Sequence, residues 1–464
     1  MKSALPKVLH RLAGRSLLQH VLDAAAPLAA ERSVVISGHG AEAVEKAIAS
    51  SGARCVRQMP QLGTGHAVQQ AVPALDDAAS TTLILNGDVP LVRSQTLRRL
   101  LAACDDQRLA LLTVELTDAT GYGRIVRDDA RVDGQEDALE GAQEGAKKGA
   151  KKGAQVQAIV EHKDASPAQR AIREVYTGIM AAPTAALKRW VAALRNDNVQ
   201  GEYYLTDVVA MAVAEGVPVV AVPASGETEV LGINSPRQLA QLERLYQLEI
   251  AGSLMDAGVR LADPARLDVR GELLCGSDVE IDVGCVFEGR VTLGNGVRIG
   301  AHCVIRDAQI ADGVVVHPFC HIDGAEVGAG SLIGPYARLR PGAALAEEVH
   351  IGNFVEVKNS SLARGAKANH LSYLGDATVG QRVNFGAGSI TANYDGANKH
   401  RTTIGDDVHV GSNCVLVAPI TLGIGATIGG GSTINKDAPA GQLTVARAKQ
   451  ASLAGWQRPK KKTP

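Results

Sequence analysis

Residues 404–434 read IGDDVHVGSNCVLVAPITLGIGATIGGGSTI, and this stretch decides the fold of the C-terminal half. A bulky aliphatic residue recurs at every sixth position, at Ile404, Val410, Leu416, Leu422, Ile428 and Ile434. An α-helix has a period of 3.6 residues and a β-strand a period of two, so neither element explains this spacing. A period of six is typical of a parallel β-helix, in which each hexad supplies one short strand and one corner.

The same period occurs earlier in the chain, at Ile333, Leu339, Leu345 and Ile351. Glycine directly follows several of these aliphatic residues, for example Gly334 and Gly352, and glycine permits the tight turn that closes a hexad. We therefore predict a solenoid from about residue 268 to about residue 434, with the aliphatic side chains in a narrow core.

The composition of the 464 residues excludes several classes of protein. The chain is too long for one core, and its net charge of −1 provides no basic surface for nucleic acid or an acidic membrane. No apolar run reaches the length of a membrane span, and no secretory leader opens the sequence. The seven cysteines are scattered without a CxxC pair, which favours reduced thiols and a cytoplasmic location.

The N-terminal half has the pattern of an α/β domain. Apolar runs at 33–37, 82–85, 110–115 and 219–222 predict strands, and residues 16–30 and 94–104 predict helices between them. This alternation predicts a Rossmann-like α/β domain with a largely parallel sheet. Domain boundaries follow at 1–234 for this domain, 235–257 for an amphipathic linker helix, and 258–464 for the solenoid and tail. Residues 136–157 are rich in Lys, Glu, Gly and Ala, which predicts a mobile loop.

Three features of the N-terminal half indicate nucleotide chemistry. The turn at Gly63, Thr64 and Gly65 brings backbone N–H groups close to a base or phosphate, although ordinary turns look the same. Asn86-Gly87-Asp88 directly follows a predicted strand, where ligands bind in α/β sheets, and Asp88 is a candidate Mg²⁺ ligand or a turn aspartate. Lys7 is a candidate counter-charge for phosphate or an exposed lysine.

The solenoid rhythm breaks twice, at a polar cluster around His370 and at an insertion spanning residues 391–399. Polar residues that interrupt a solenoid commonly mark its binding face. Acetylation of an amine needs a base, and His370 is our candidate, with a structural histidine as the alternative. Arg340 and Lys358 are candidates for holding a sugar phosphate, or they are solvated surface charges.

Longer motifs carry a resemblance over nearly the whole chain. They are Leu5-Pro6-Lys7-Val8-Leu9-His10, Gln61-Leu62-Gly63-Thr64-Gly65-His66-Ala67, Gly121-Tyr122-Gly123-Arg124-Ile125, Val160-Glu161-His162-Lys163-Asp164, Gln200-Gly201-Glu202-Tyr203-Tyr204, Gly352-Asn353-Phe354-Val355-Glu356, His370-Leu371-Ser372-Tyr373-Leu374-Gly375-Asp376 and Asn393-Tyr394-Asp395-Gly396. The sequence resembles the bifunctional UDP-N-acetylglucosamine pyrophosphorylase/glucosamine-1-phosphate N-acetyltransferase family. The resemblance implies acetylation of glucosamine 1-phosphate by acetyl-CoA, then uridylyl transfer from UTP to N-acetylglucosamine 1-phosphate with release of pyrophosphate.

The resemblance also implies a left-handed β-helix, a homotrimer whose sites combine subunits, and a role for each of several residues. In the acetyltransferase half, His370 is the proton acceptor. The phosphosugar contacts are Arg340, Lys358, Tyr373 and Asn384. The acetyl-CoA contacts are Ala387, Asn393, Tyr394, Ser412, Gly430 and Arg447. In the uridylyltransferase half, Mg²⁺ binds Asp88 and Asn234, and the nucleotide-sugar contacts are Lys7, Gln58, Gly63, Thr64, Asn86, Gly87, Asp88, Gly123, Glu161, Tyr176 and Asn234.

The sequence departs from the family pattern at three places. The family has a first strand and a glycine-rich loop ending in Gly-Thr-Arg-Met before the position of Lys2, and we expect an upstream start codon to supply them. Asn86 stands where the family has Tyr, and Tyr176 where it has Asn. An alternative hypothesis is an acetyltransferase with an inactive N-terminal domain. A non-catalytic scaffold is a third, but it needs neither His370 nor the insertion.

Overall fold

The computed structural model describes residues 3–75, 80–128, 155–459 and 461. The chain divides into two compact units, Met1–Leu245 and Tyr246–Pro464, and their boundary falls within the helix Pro236–Asp256. Residues 136–154 of the predicted loop lie outside the described residues, and its last residues run into the strand Val156–Val160.

The first unit has the predicted α/β architecture. The described helices are Leu17–Ala25, Ala41–Ile48, Thr64–Ala71, Ser94–Ala103, Pro167–Arg170, Thr184–Ala193, Asp207–Ala214 and Pro236–Asp256. The described strands are Arg11–Leu12, Arg15–Ser16, Val34–Ser37, Arg54–Arg57, Thr81–Ile84, Leu109–Glu115, Arg124–Arg127, Val156–Val160, Glu174–Pro183 and Val219–Pro223. All four strands and both helices that were predicted individually are present, with ends shifted at several of them.

The prediction of a largely parallel sheet is wrong. In the described part of the chain, a six-stranded sheet contains one parallel pairing, between Leu109–Glu115 and Val219–Pro223. The ten-residue strand Glu174–Pro183 runs antiparallel to Thr81–Ile84 and to Leu109–Glu115. Antiparallel neighbours need no helical crossover, so the alternation of strands and helices in sequence did not reveal this strand.

Both faces of the six-stranded sheet are buried. Leu111 and Met180 point into one apolar cluster. Their chain neighbours Leu112 and Ile179 point into the cluster on the opposite face. All four are inaccessible to solvent, as the alternation of side chains along a strand requires. The sheet is therefore a rigid support for the turns at its strand ends.

The second unit is the predicted left-handed parallel β-helix. Its described strands form three parallel ladders, one for each face of a triangular prism. The first face contains Arg260–Leu261, Glu280–Ile281, Arg298–Ile299, Val315–Val316, Leu332–Ile333, His350–Asn353, Lys367–His370, Asn384–Phe385, His409–Val410, Thr427–Ile428 and Leu443–Thr444. The long strands Leu267–Cys275 and Cys285–Leu293 run through the other two faces. The second face then contains Val304–Arg306, His321–Asp323, Arg338–Leu339, Glu356–Lys358, Tyr373–Gly375, Ile390–Ala392, Val415–Val417 and Thr433–Ile434. The third face contains Gln309–Ile310, Glu326–Val327, Ala344–Leu345, Ser361–Leu362, Ala377–Val379, Thr402–Ile404 and Ile420–Leu422.

The hexad residues fill the core of the prism, as predicted. Each is at most 4% exposed: Ile333, Leu339, Leu345, Ile351, Ile404, Val410, Leu416, Leu422, Ile428 and Ile434. We call the turn after the first face corner 1 and the turn after the second face corner 2. Each corner includes the last residue of the preceding strand: in one coil, corner 1 is Asn353 with the turn 354–355, and corner 2 is Lys358 with the turn 359–360.

Candidate active sites

The glycine-flanked turn of the first unit is held by backbone hydrogen bonds to Tyr203. Gly65 N donates to Tyr203 O at 2.8 Å, and Tyr203 N donates to Leu62 O at 2.8 Å. Gly63 has a φ of +108°, and a Cβ at this position would lie 2.6 Å from Tyr203 O. The turn therefore requires glycine and presents its backbone in a fixed arrangement.

Two predicted contacts, Gln58 and Thr64, stabilise the same turn. Gln58 Nε2 donates to Gly63 O at 2.9 Å. Leu205 N donates to Thr64 Oγ1 at 3.1 Å, and Thr64 begins the helix Thr64–Ala71. The structure thus brings Gln58, Gly63 and Thr64 together at the positive end of a short helix.

The predicted metal ligands Asp88 and Asn234 converge on one cation, the ammonium of Lys7. Lys7 Nζ donates to Asp88 Oδ2 at 2.6 Å and to Asn234 Oδ1 at 2.9 Å. A Cβ on Gly87 would lie 3.1 Å from Val8 Cγ1, so the strand end packs closely on the segment that carries Lys7. A carboxylate and an amide oxygen that already share a cation fit Mg²⁺, which takes oxygen ligands from protein and phosphate together.

Glu161 places a carboxylate beside Gly123 and Thr206. Its Oε1 accepts a hydrogen bond from Thr206 Oγ1 at 3.1 Å, and burial raises the pKa of the carboxyl. A Cβ on Gly123 would lie 3.7 Å from Glu161 Oε1, so glycine leaves the carboxylate uncovered on that side. Burial, with a smaller contribution from the negative charge of Asp88, raises the pKa of the phenol of Tyr122, the residue before Gly123.

The two residues that depart from the family pattern differ in exposure. Asn86 packs against Gly178, where φ is +85° and a Cβ would overlap Asn86 Nδ2. Tyr176 is a core residue, and its buried hydroxyl has no hydrogen-bond partner among the described residues. Burial and the nearby Glu161 raise the pKa of this phenol. The structure therefore brings Tyr176 near Glu161 but leaves its hydroxyl out of reach of solvent.

Corner 1 of the solenoid aligns five of the predicted residues. Backbone bonds run along it from coil to coil: Leu371 N donates to Asn353 O, Gly388 N to His370 O, Asn413 N to Ala387 O, and Gly431 N to Ser412 O. Arg447 Nη1 donates to Gly430 O at 2.6 Å at the far end. His370, Ala387, Ser412, Gly430 and Arg447 thus form one row parallel to the solenoid axis, in which small residues follow His370.

His370 has one side-chain partner on the preceding coil. Its Nδ1 lies 2.8 Å from Asn353 Oδ1, and the strand register pairs these two residues directly. Since an amide oxygen only accepts, the imidazole carries its proton on Nδ1 and leaves Nε2 with a free lone pair. The exposed ring is therefore arranged as a proton acceptor.

Corner 2 gathers a different set of predicted residues. Lys358 stacks directly over Gly375 in strand register, and Asp376 N donates to Lys358 O at 3.0 Å. Arg340 Nη1 donates to Glu356 Oε1 at 2.8 Å. The neighbouring ammonium of Lys399 and, to a smaller extent, the Arg340 guanidinium lower the pKa of Lys358. Tyr373 lies on the second face below this corner, whereas Asn384 lies on the first face, with its Nδ2 3.3 Å from His409 Nδ1.

The insertion 393–399 loops out at corner 2 and is ordered by its own contacts. Asp395 accepts from Asn398 N at 2.6 Å, from His400 Nε2 at 2.6 Å and from Ala397 N at 2.8 Å, which holds the pKa of its carboxyl well below the usual range. Asn393 Nδ2 donates a short hydrogen bond to Asp376 Oδ2. Tyr394 is 60% exposed at the tip of the loop.

Three family descriptions match parts of the chain: the MobA-like NTP transferase domain at residues 1–148, the GMPPB C-terminal domain at 269–362, and the hexapeptide repeat of succinyl-transferase at 401–436. The bifunctional protein GlmU of Methylibium petroleiphilum is 71% identical over 100% of this chain and 97% of the relative. Those of Paracidovorax citrulli and Polaromonas naphthalenivorans are 63% and 64% identical, over 99% and 100% of this chain and 96% of each relative. The chain belongs to the bifunctional GlmU family.

Membership of the GlmU family assigns two activities to the chain. It is a glucosamine-1-phosphate N-acetyltransferase and a UDP-N-acetylglucosamine pyrophosphorylase, as the resemblance of its motifs implies. Within the described ranges, no helix has both the length and the apolar composition needed to cross a membrane.

Sequence reasoning missed two residues of the GlmU acetyltransferase half. Asn353, the partner of His370, is seventeen positions away and lies one coil back, which the motif alone does not show. Lys399 closes the insertion, and its ammonium is so close to that of Lys358 that it lowers the pKa of Lys358. Lys399 could have been predicted from its position, because it is a lysine in an insertion at the expected binding face.

Proposed function

We propose that N-acetyl transfer takes place where corner 1 of one copy of the chain meets corner 2 of another. One observation carries this proposal: the candidate base and the candidate phosphate ligands lie on different corners. In the coil that contains both positions, His370 and Gly375 are separated by the turn at Leu371 and the second-face strand Tyr373–Gly375, a span of at most about 16 Å at 3.3 Å per residue. This separation favours a site in which the two corners come from different copies.

His370 takes the proton in this reaction. The amine of glucosamine 1-phosphate attacks the thioester carbonyl of acetyl-CoA, the new C–N bond forms, and the C–S bond breaks as CoA thiolate leaves. The proton lost from the nitrogen moves to Nε2 of His370, while Asn353 holds Nδ1–H and so fixes the tautomer. The thiolate then receives a proton, which returns the imidazole to its neutral form.

The cations of corner 2 hold the phosphate. Arg340, Lys358 and Lys399 bring three positive groups to one side of the corner, and the closeness of the two ammonium groups favours an anion between them. Tyr373 and Asn384 complete the predicted phosphosugar contacts. Asn384 and His370 belong to neighbouring strands of the first face.

Acetyl-CoA lies along corner 1 and is closed in by the insertion of the neighbouring copy. Ala387, Ser412 and Gly430 have small side chains or none, so the row beyond His370 is a shallow groove. Arg447 at the end of the row supplies a charge for the phosphates of CoA. The other two predicted acetyl-CoA contacts, Asn393 and Tyr394, belong to corner 2. The acetyl-CoA contacts are therefore divided between the two corners, as the base and the phosphate ligands are.

We propose a homotrimer, the closed assembly that gives every corner 1 a neighbouring corner 2. An exposed stack of rings on corner 1 supports a protein–protein interface: His302, Phe319, Tyr336 and Phe354 follow each other with centroids 5.0–5.3 Å apart. Phe319, Tyr336 and Phe354 are 47%, 49% and 56% exposed in the single chain. Contiguous exposed aromatic surface of this kind is typical of an interaction site.

Co-expression of two variants, each impaired at a different corner and assayed at low glucosamine 1-phosphate, tests the shared site. His370→Ala removes the base from corner 1, and Lys358→Ala removes a cation from corner 2. Each mixed trimer has one site with two intact corners, which is about a quarter of all sites if the chains assort at random, so acetyltransferase activity returns. Each variant expressed alone is the control. Mixed trimers no more active than the controls would show that one copy contains the whole site.

For uridylyl transfer from UTP to N-acetylglucosamine 1-phosphate, we propose the following roles for residues of the first unit. Asp88 and Asn234 would hold Mg²⁺, which offsets phosphate charge when bound. Gln58, Gly63 and Thr64 form the nucleotide turn, Asn86 and Gly87 lie at the strand end, and Gly123 and Glu161 face the sugar. Lys7 contacts phosphate. The seven free thiols and the chemistry of the substrates support a cytoplasmic location.

A further inference from the structure

The ammonium of Lys7 occupies the point at which the two proposed metal ligands converge. Its distances to Asp88 Oδ2 and Asn234 Oδ1 are 2.6 and 2.9 Å. A lysine ammonium and Mg²⁺ cannot share this point, because Mg²⁺ needs the same oxygens at about 2.0–2.1 Å. Entry of the metal therefore requires Lys7 Nζ to leave.

The backbone around Lys7 is fixed, but the end of its side chain is not enclosed. A Cβ on Gly40 would lie 2.5 Å from Pro6 Cγ, and one on Gly87 would lie 3.1 Å from Val8 Cγ1, so both neighbours of Lys7 are in close contact with the domain. The Lys7 side chain itself is 37% exposed and that of Asp88 is 20% exposed. The ammonium has room to move while its Cα stays beside the site.

We propose that Lys7 and Mg²⁺ alternate at Asp88 and Asn234. Without metal, Lys7 Nζ neutralises the carboxylate and keeps the two oxygens together. When the metal binds, it expels the ammonium, which is then free to contact a phosphate oxygen of the incoming nucleotide. This inference rests on the proposed Mg²⁺ site and adds that Lys7 competes with the metal before it assists the substrate.

Metal affinity measured without nucleotide tests the exchange. Mn²⁺ is the probe, and its free concentration is followed by electron paramagnetic resonance on the full chain. In Lys7→Met we expect Mn²⁺ to bind about two- to fivefold more tightly, the fold-change that corresponds to loss of one partly exposed ion pair. Lys163→Met, which removes an exposed lysine bonded to Gln200, is the charge-matched control with unchanged affinity. Equal or weaker binding in Lys7→Met overturns the exchange.

Asp88→Asn separates this inference from the function on which it rests. We expect this variant to lose Mn²⁺ binding. If it binds Mn²⁺ as the wild type does, the proposed metal site itself is wrong. If it loses binding while Lys7→Met gains none, the site is right and the exchange is wrong.

A labelling experiment on the wild-type chain avoids any dependence on the folding of variants. An amine-acylating ester reacts with free lysines, and mass spectrometry gives the rate at each one. Because metal expels the Lys7 ammonium from Asp88, saturating Mg²⁺ should speed acylation of Lys7 at least about twofold and leave Lys163 unchanged. Protection of Lys7, or no change, contradicts the proposal.

Discussion

Nδ1 of His370 lies 2.8 Å from Oδ1 of Asn353, one coil below it on the same corner of the solenoid. This contact gives the histidine a fixed tautomer and leaves Nε2 unprotonated. A solvated histidine needs no such partner, and a structural one would be buried, whereas this ring is exposed. The arrangement supports a role in proton transfer.

Removal of the base should abolish most acetyl transfer. For His370→Ala we expect kcat to fall at least about 100-fold, the lower limit for general acid–base assistance, with uridylyl transfer intact. His321→Ala, an exposed histidine of the same solenoid on a different face, is the matched control. An unchanged kcat with glucosamine 1-phosphate and acetyl-CoA would rule out His370 as the base.

The tautomer contact makes a separate prediction about pH. In Asn353→Asp, a carboxylate beside Nδ1 of His370 favours the charged imidazolium. The acid limb of the pH–rate profile should therefore shift to higher pH by roughly one unit. Activity at neutral pH then falls and recovers in alkaline buffer. In Asn353→Leu no such recovery is expected, since the contact is lost without adding charge. A profile of Asn353→Asp that coincides with the wild type would remove Asn353 from the mechanism.

The hexad period predicted the core of the solenoid well, and it did so for a physical reason. Only the residue that points inward is constrained to be bulky and apolar, and Val410, Leu416 and Leu422 are all fully buried. Corner residues carry no such constraint, so the sequence does not tell whether His370 and Lys358 face each other. Their placement depends on strand pairing between coils, which insertions of variable length displace.

Two features of the first unit could not be predicted from local sequence patterns either. The strand Glu174–Pro183 is buried on both faces, so it lacks the alternation that identifies a half-exposed strand. The contact of Lys7 with Asp88 joins residues 81 positions apart, and no local pattern encodes it. The types of residue at the site were predictable from motifs, but the pairing of Lys7 with Asp88 and Asn234, the two proposed metal ligands, came only from the fold.

Lys399 should matter for phosphate binding. For Lys399→Met we expect KM for glucosamine 1-phosphate to rise roughly tenfold at neutral pH, the effect of one charged hydrogen bond, with little change in kcat. The variant also removes the neighbour that lowers the pKa of Lys358. Lys358 then keeps its proton to higher pH, so the alkaline rise in KM should begin later than in the wild type. Lys367→Met, on the first face of the solenoid, is the control; equal KM values would exclude Lys399 from the site.

The carboxylate of Glu161 should lower the stability of the first unit, although it supports uridylyl transfer. Burial raises the pKa of its carboxyl, so the folded chain binds more protons than the unfolded chain between the ordinary and the raised value. Stability is therefore lost as pH rises through this window and stays lower above it. Glu161→Gln should raise the Tm of the first unit by roughly 2 °C or more at pH 7 but not at pH 4, while uridylyl transfer falls. A lower Tm at pH 7 would mean that the carboxylate is stabilising instead.

A charge placed in the ring stack should separate the subunits. Tyr336 lies between Phe319 and Phe354, with centroid distances of 5.0 and 5.3 Å, so Tyr336→Glu puts an unpaired carboxylate in the middle of the proposed interface. We expect sedimentation to show monomers and acetyltransferase activity to fall by at least about 100-fold, because each site needs two copies. Uridylyl transfer should persist, since its proposed residues lie in one unit. Glu347→Lys changes an exposed charge away from corner 1 and should leave the trimer intact. A stable monomer that still acetylates glucosamine 1-phosphate would contradict both the trimer and the shared site.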